Sequence, residues 1–254
     1  MRNYQYIQFN TVDEIAYITL NRPEKHNALH PAMMDELSEL CDTLSQLTDI
    51  RVVILNASGT NFCAGADLDW MSQQVDNSFN DNKDSAIQLG VFLHKLSTLP
   101  QPLIGIAQGK ILGGGLGLLA CCDVVIAEIH AQFCFSEVKL GLVPAMITPF
   151  IIRKIGYSHA KALYLTAETF DSDHAKRIAL IHHIVMTQQD LMPAAQKIAE
   201  KLKKNAPMAM AQSKQLVDQF YPIEPQMIDF TAEILAHLRT GEEAQARMNA
   251  FLKK

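Results

Sequence analysis

The sequence predicts an α/β core followed by a helical tail, on three observations. Short apolar and β-branched runs alternate with helix-periodic segments through about residue 190. Beyond that point only helical spacing remains, over 191–202, 207–219 and 225–238. Between them, the glycine run Gly113-Gly114-Gly115-Leu116-Gly117 links a strand-like segment to an apolar helical one. The expected division is therefore a core over 1–190 and a helical region over 191–254.

Residues 4–9 and 15–20 alternate β-branched and aromatic side chains around a polar turn at 10–14, which predicts an opening hairpin. In 31–47, Met34, Leu37, Leu40, Leu44 and Leu47 recur at spacings of three and four and share one helical face. The run 52–55 is a buried strand ended by Ser58-Gly59. Residues 72–85 hold Asp, Asn, Gln, Ser and Lys almost without apolar partners, so a mobile loop is expected there. Helical spacing resumes at 86–96, Pro100 and Pro102 break it, and 103–107 and 124–127 are further buried strands. A helical turn at 149–155 is expected to end at Gly156 as its C-cap, with Ser158 capping a second helix over 159–165.

A chain of 254 residues can build one sizeable core, burying roughly 70–75% of what its unfolded form exposes. Its 48% apolar and 19% charged residues are those of an ordinary globular protein, with no repeat or low-complexity segment. A formal net charge of −5 speaks against a general nucleic-acid binder, although a local pocket can still attract an anion. The longest nearly apolar run, 111–122, is rich in glycine and short of the roughly 20 residues of a membrane span. Residues 1–10 lack the basic start, apolar run and cleavage site of a secretory signal. Cys41, Cys63, Cys121, Cys122 and Cys134 show neither metal-ligand spacing nor a disulfide framework, so reduced thiols in a cytoplasmic protein are expected. His26, His94, His159, His182 and His183 have no Cys or Asp partner at metal spacing, and no metal is expected.

The glycine run admits three readings. It is a tight structural turn, or a helix N-terminus whose free N–H groups suit an anion or a developing oxyanion. Alternatively, Gly115-Leu116-Gly117-Leu118-Leu119-Ala120 fits a dinucleotide fingerprint with Glu137 about twenty residues on. That fingerprint needs a full crossover helix and an acid ending the next strand, whereas Asp123 cuts the helix short and Glu137 follows a strand already ended. Gly156-Tyr157-Ser158-His159-Ala160 is a degenerate nucleophile elbow, but a helical turn rather than a strand precedes it.

Five ordered motifs together carry a more specific signal: Asn21-Arg22-Pro23-Glu24-Lys25-His26-Asn27-Ala28-Leu29, Phe62-Cys63-Ala64-Gly65-Ala66-Asp67-Leu68, Gly113-Gly114-Gly115, Cys122-Asp123, and Phe135-Ser136-Glu137-Val138-Lys139-Leu140-Gly141-Leu142-Val143-Pro144. Over essentially the whole chain, including the ending Ala250-Phe251-Leu252-Lys253, the sequence resembles the enoyl-CoA hydratase/isomerase, or crotonase, family. Within it, Asp67-Leu68-Asp69-Trp70-Met71, Cys121-Cys122-Asp123 and residues 143–150 resemble bacterial 3-methylglutaconyl-CoA hydratase-like proteins most. The resemblance implies a spiral of ββα units followed by helices that assemble a homotrimer or a dimer of trimers. It implies an acyl-CoA thioester as substrate, with coenzyme A part of that substrate and no separate cofactor. Two backbone amides, matched to Ala64 and Gly114, are expected to hold the thioester oxygen as charge collects on it. The loop Lys25 to Ala28 and the segment Ala66, Asp67 and Leu68 are expected around the nucleotide and pantetheine, with Lys25 near phosphate. Taken alone, the Arg22 to Lys25 segment is an exposed turn and Asp67 a helix N-cap.

Hydration of an enoyl thioester divides proton delivery and water activation, commonly between two carboxyl groups. Glu137 matches one family glutamate, whereas the other position holds Gly117. Glu137 therefore acts alone in a hydratase, or moves a proton between α and γ carbons in an isomerase, or the chain binds CoA without turnover. Taken by itself, Glu137 is a surface carboxylate beside Lys139. Gly117 is expected to leave room for a branched or carboxylated acyl group. Cys63 reads as a small apolar filler, and Trp70 and Met71 as core packing that also walls the acyl slot.

Overall fold

The structure, a computed structural model, describes residues 4–74 and 77–252. Strands β1 (Ile7–Val12) and β2 (Ile15–Leu20) form the opening hairpin, with Ile7 opposite Leu20 and Val12 opposite Ile15. The first strand lies three residues later than the side-chain alternation suggests. A two-residue turn decides this: Asp13 and Glu14 both take positive φ, 49° and 66°, which matches the strand twist and draws residues 10–12 into the ladder.

Helix α1 (Pro31–Gln46) buries Met33, Met34, Leu37, Leu40, Cys41 and Leu44 on its apolar face and returns the chain to β3 (Val52–Ala57), parallel to β2. Two helices, α2 (Leu68–Gln74) and α3 (Phe79–Ser97), occupy most of the expected loop at 72–85, of which residues 75 and 76 lie outside the described ones. Composition misled because local polar bonds replace apolar contacts at the start of α3. The Ser78 hydroxyl accepts from the Asp81 amide and the Asp81 carboxylate accepts from the Ser78 amide, each at 3.2 Å. Buried Asn82 donates to the carbonyls of Gln74, Asn77 and Ser78 at 3.1–3.4 Å.

The chain continues through β4 (Leu103–Ala107), β5 (Lys110–Leu112), α4 (Gly114–Cys121), β6 (Val124–Glu128) and β7 (Gln132–Cys134). Next come α5 (Thr148–Thr166), β8 (Phe170–Asp171), α6 (Ser172–Arg177) and β9 (His183–Val185). Among the described residues β1-β2-β3-β4-β6-β9 form one sheet, parallel after the hairpin, and β5-β7-β8 a second. The strands of the second sheet are two or three residues long, too short to show a period in sequence. Gly156, with φ 77° and ψ 162°, interrupts α5, so two helical segments meet at a kink where a stop and restart are expected.

Four helices close the chain: α7 (Leu191–Leu202), α8 (Pro207–Phe220), α9 (Pro225–Arg239) and α10 (Glu242–Leu252). Leu191, Ala195 and Ala199 of α7 pack on Ile54, Ile104 and Ile126 and seal one face of the large sheet. Ile228, Ala232 and Leu235 of α9 and Ala244 and Met248 of α10 pack into the main core as well. Helix α9 lies against α3, where Gly90 lets Ile228 come so close that a Cβ would stand 2.7 Å from its Cγ2. Among the described residues no helix is long and apolar enough to cross a membrane.

Candidate active site

The loop after β3, the start of α4 and a 3-10 turn at Glu137–Leu140 wall one cavity of about 180 Å³. The loop is held by paired backbone bonds. Leu29 N donates to Gly65 O at 2.7 Å and Asp67 N donates to Leu29 O at 2.9 Å, one on each side of Ala66. That pairing leaves the Ala66 amide without a partner among the described residues. The Ala64 amide, by contrast, donates to His26 O at 3.0 Å. The Ala64 amide therefore does not fit the expected role of oxyanion donor, and the open amide of this loop is that of Ala66: an amide already bonded cannot also receive a thioester oxygen without losing its partner.

The second amide belongs to α4. Gly113 takes φ 45° and donates its N–H to Cys134 O at 3.2 Å, while Gly114, the first helical residue, has an N–H with no partner among the described residues. A Cβ at Gly115 would stand 2.7 Å from Cys63 O, so this glycine lets the helix start approach the Ala66 loop. A Cβ at Gly113 would stand 3.0 Å from Glu137 Oε1, which places the carboxyl against the same turn. The dinucleotide reading fails here, because its acid is a wall of the cavity and its helix stops at Cys121.

Glu137 is not a surface carboxylate beside Lys139. Its Oε2 is buried with no hydrogen-bond partner among the described residues, and burial pushes its pKa up to about 7. Lys139 turns its ammonium toward Cys134 Sγ instead, at 3.9 Å. Cys63, fully buried, has its thiol pushed up to about 12 by that burial, as befits a filler.

Gly117 corrects another expectation, since it neither lines the cavity nor leaves room. A Cβ there would stand 2.4 Å from Ile147 Cγ2 and 3.1 Å from Ile147 Cβ, so the space vacated by a side chain is filled by isoleucine. Gly117→Ala is accordingly expected to destabilise the fold by about 1–3 kcal/mol through overpacking, read as a lower urea midpoint at unchanged slope. An unchanged midpoint would show that the site is not filled.

The other expected binding residues divide. Ala66 and Leu68 line the cavity, whereas Ala28 is buried outside it with its carbonyl accepting from Arg22 Nη1 at 3.1 Å. Asp67 caps α2 by accepting from the Trp70 amide at 3.0 Å and pairs with Arg22 Nη2 at 2.8 Å. Burial opposes its charge, but the Trp70 amide and Arg22 outweigh burial and hold its pKa below the ordinary value. Lys25 is exposed and paired with Asp69 at 2.8 Å. Trp70 and Met71 do wall the cavity, together with Met34, Leu89, Met146 and Phe251. Among the described residues that line the cavity, only Glu137 and Arg239 carry ionisable side chains, and the second has no sequence signal beyond a cation in the last turn of a helix. Among the described residues no group of three or more His, Cys, Asp or Glu could hold a metal.

Comparison with known proteins extends these observations. Residues 10–254 match the family described as enoyl-CoA hydratase/isomerase. A short-chain-enoyl-CoA hydratase of Clostridium acetobutylicum is 32% identical over 244 residues, covering 95% of this chain and 92% of its own. Among solved structures, an enoyl-CoA hydratase from Shewanella pealeana superposes with a TM-score of 0.83 at 37% identity, over 98% of this chain and 94% of that one. One from Bacillus halodurans reaches a TM-score of 0.90 at 26% identity, over 97% and 100%. The spiral α/β fold expected from the motifs is the fold of these structures.

Proposed function

Because this chain belongs to the enoyl-CoA hydratase/isomerase family, we propose that it adds water to an α,β-unsaturated acyl-CoA, with Ala66, Gly114 and Glu137 as its working groups. The amides of Ala66 and Gly114 receive the thioester oxygen and stabilise the enolate that forms when the double bond is attacked. Glu137 accepts a proton from water as the oxygen bonds to Cβ, then returns that proton to Cα. A pKa near 7 suits both halves of this cycle at neutral pH.

The observation that carries the reading is the buried, unpartnered Oε2 of Glu137 in a cavity shared with two unengaged amides. The same observation counts against a CoA-binding protein without turnover, since an unpaired buried carboxyl costs stability and serves no structural bond. It also supports a second catalytic reading. One carboxyl near both α and γ carbons is sufficient for double-bond migration, so a Δ3,Δ2-enoyl-CoA isomerase uses the same groups.

A panel assay separates the two reactions. Crotonyl-CoA is expected to lose its conjugated-enoyl absorbance as water adds, faster than 3-hexenoyl-CoA acquires it by migration. Migration with no water addition to any 2-enoyl-CoA would replace the hydratase reading with the isomerase one.

The finer substrate reading, a branched enoyl-CoA of the 3-methylglutaconyl type, draws on the motif resemblance and gains nothing from Gly117. In the same reading coenzyme A enters with the substrate, and Lys25 at the exposed rim exchanges Asp69 for a phosphate. Assembly as a trimer or a dimer of trimers is supported by the exposed Met208, Leu216, Val217, Phe220 and Phe230 of α8 and α9. A cytoplasmic location accords with five buried free cysteines.

A further inference from the structure

We infer that Arg239 anchors a carboxylate carried on the acyl group, so that the substrate class is a dicarboxylic acyl-CoA; this rests on the acyl-CoA reading above. Arg239 ends α9 and its side chain lines the cavity that Glu137 lines. Its guanidinium lies over the Trp70 ring at 5.9 Å from the centroid and gives one bond, Nη1 to Ser85 Oγ at 3.1 Å. Among the described residues no carboxylate pairs with it, and burial pushes its pKa down to about 10.

The polar groups bonded beside it are neutral. The Ser85 hydroxyl has two acceptors for its proton, Asn82 O at 3.0 Å and Gln74 Oε1 at 3.1 Å, and the Gln74 side-chain nitrogen has no partner among the described residues. Gln74 and Trp70 both line the cavity, and the rest of the wall is mainly apolar, with Leu235 one turn back on the same helix. A cation enclosed in this way is costly unless an anion joins it. Among the described residues the one carboxyl in the wall is that of Glu137, which burial shifts toward the protonated form and which the reaction uses. A carboxylate on the substrate supplies acceptor atoms and a negative charge, which is what a guanidinium bonded only to Ser85 Oγ among the described residues, with the Gln74 amide nitrogen beside it, can bind. With the thioester oxygen at Ala66 and Gly114 and the reacting carbons beside Glu137, the far end of the acyl group is the part left to reach Arg239.

Saturated thioesters test this without turnover, because they have no double bond to hydrate. Affinities of succinyl-, glutaryl- and adipyl-CoA are compared with that of butyryl-CoA by calorimetry, on the full chain and on Arg239→Met and Arg239→Lys. The best of the three diacid thioesters is expected to bind the unmodified protein about 10- to 100-fold more tightly than butyryl-CoA. Arg239→Met should erase that ratio and Arg239→Lys should keep part of it. No preference in the unmodified protein, or a preference that survives Arg239→Met, overturns the inference. So does an equal loss for all thioesters and for free CoA, which would assign Arg239 to a phosphate. If Arg239→Met fails to fold, the unmodified protein and Arg239→Lys decide. Absence of hydration with the binding preference intact would sink the catalytic reading alone.

Discussion

Glu137→Gln is expected to lower kcat by about 10²- to 10⁴-fold, the usual contribution of a positioned acid–base group, while CoA still binds. Glutamine keeps the shape of the side chain and loses only the ability to accept and return a proton. The same substitution has a second, pH-dependent signature. The folded pKa of about 7 stands above the ordinary 4.5, so between those values the native state holds more protons than the unfolded one. Stability therefore falls as pH rises through that window, by about 3 kcal/mol in total, and stays low above pH 7. Glutamine has no such term. Relative to the unmodified protein, Glu137→Gln should become more stable from pH 4.5 to pH 8, read as a growing difference in urea midpoints. An unaltered kcat would remove Glu137 from the reaction, and a difference that does not vary with pH would show that its carboxyl is not desolvated.

Replacing the amide at Ala66 by an ester, by incorporating lactic acid at that position, is expected to cost about 10²- to 10³-fold in kcat/KM. The exchange removes one N–H and leaves the methyl side chain in place. The matching ester at Ala64 deletes the bond to His26 O and is expected to cost about 1 kcal/mol of stability, with the larger kinetic loss absent. The pair separates two neighbouring amides that differ in one respect, whether the fold has already given the donor a partner. A larger kinetic loss at Ala64 than at Ala66 would reverse the assignment made from the hydrogen bonds.

The elements legible in the sequence are those with enough length to show a period. Helix α1 with its leucines, the β-branched runs of β3, β4 and β6, and the tail helices α7, α8 and α9 all fall close to where side-chain spacing puts them. The opening strand slipped by three residues because register was decided by two left-handed residues at 13 and 14 rather than by alternation. The start of α3 escaped because capping bonds and a buried asparagine order a segment that hydrophobicity alone leaves unordered.

The site shows the same boundary. Ordered motifs were sufficient to bring Glu137, the Ala64 to Leu68 loop and the Gly113 to Gly115 turn together as candidates, and the structure puts all three around one cavity. Which amide is available was not in the motif, since Ala64 and Ala66 are identical as residues and differ only in what Leu29 and His26 do to the loop. Whether Gly117 opens a space depended on Ile147, thirty positions on. Arg239 entered the cavity from a helix whose sequence reads as ordinary.

By itself the sequence determined the fold class, the longer elements and the family, because periodicity and motifs are properties of neighbouring residues. Only the tertiary structure decided which donors are unengaged, which gaps are filled and which charge lacks a counterion among the described residues. Those are outcomes of contact between segments far apart in the chain, and a hydrogen bond or a desolvated carboxyl exists only once both sides have been brought together.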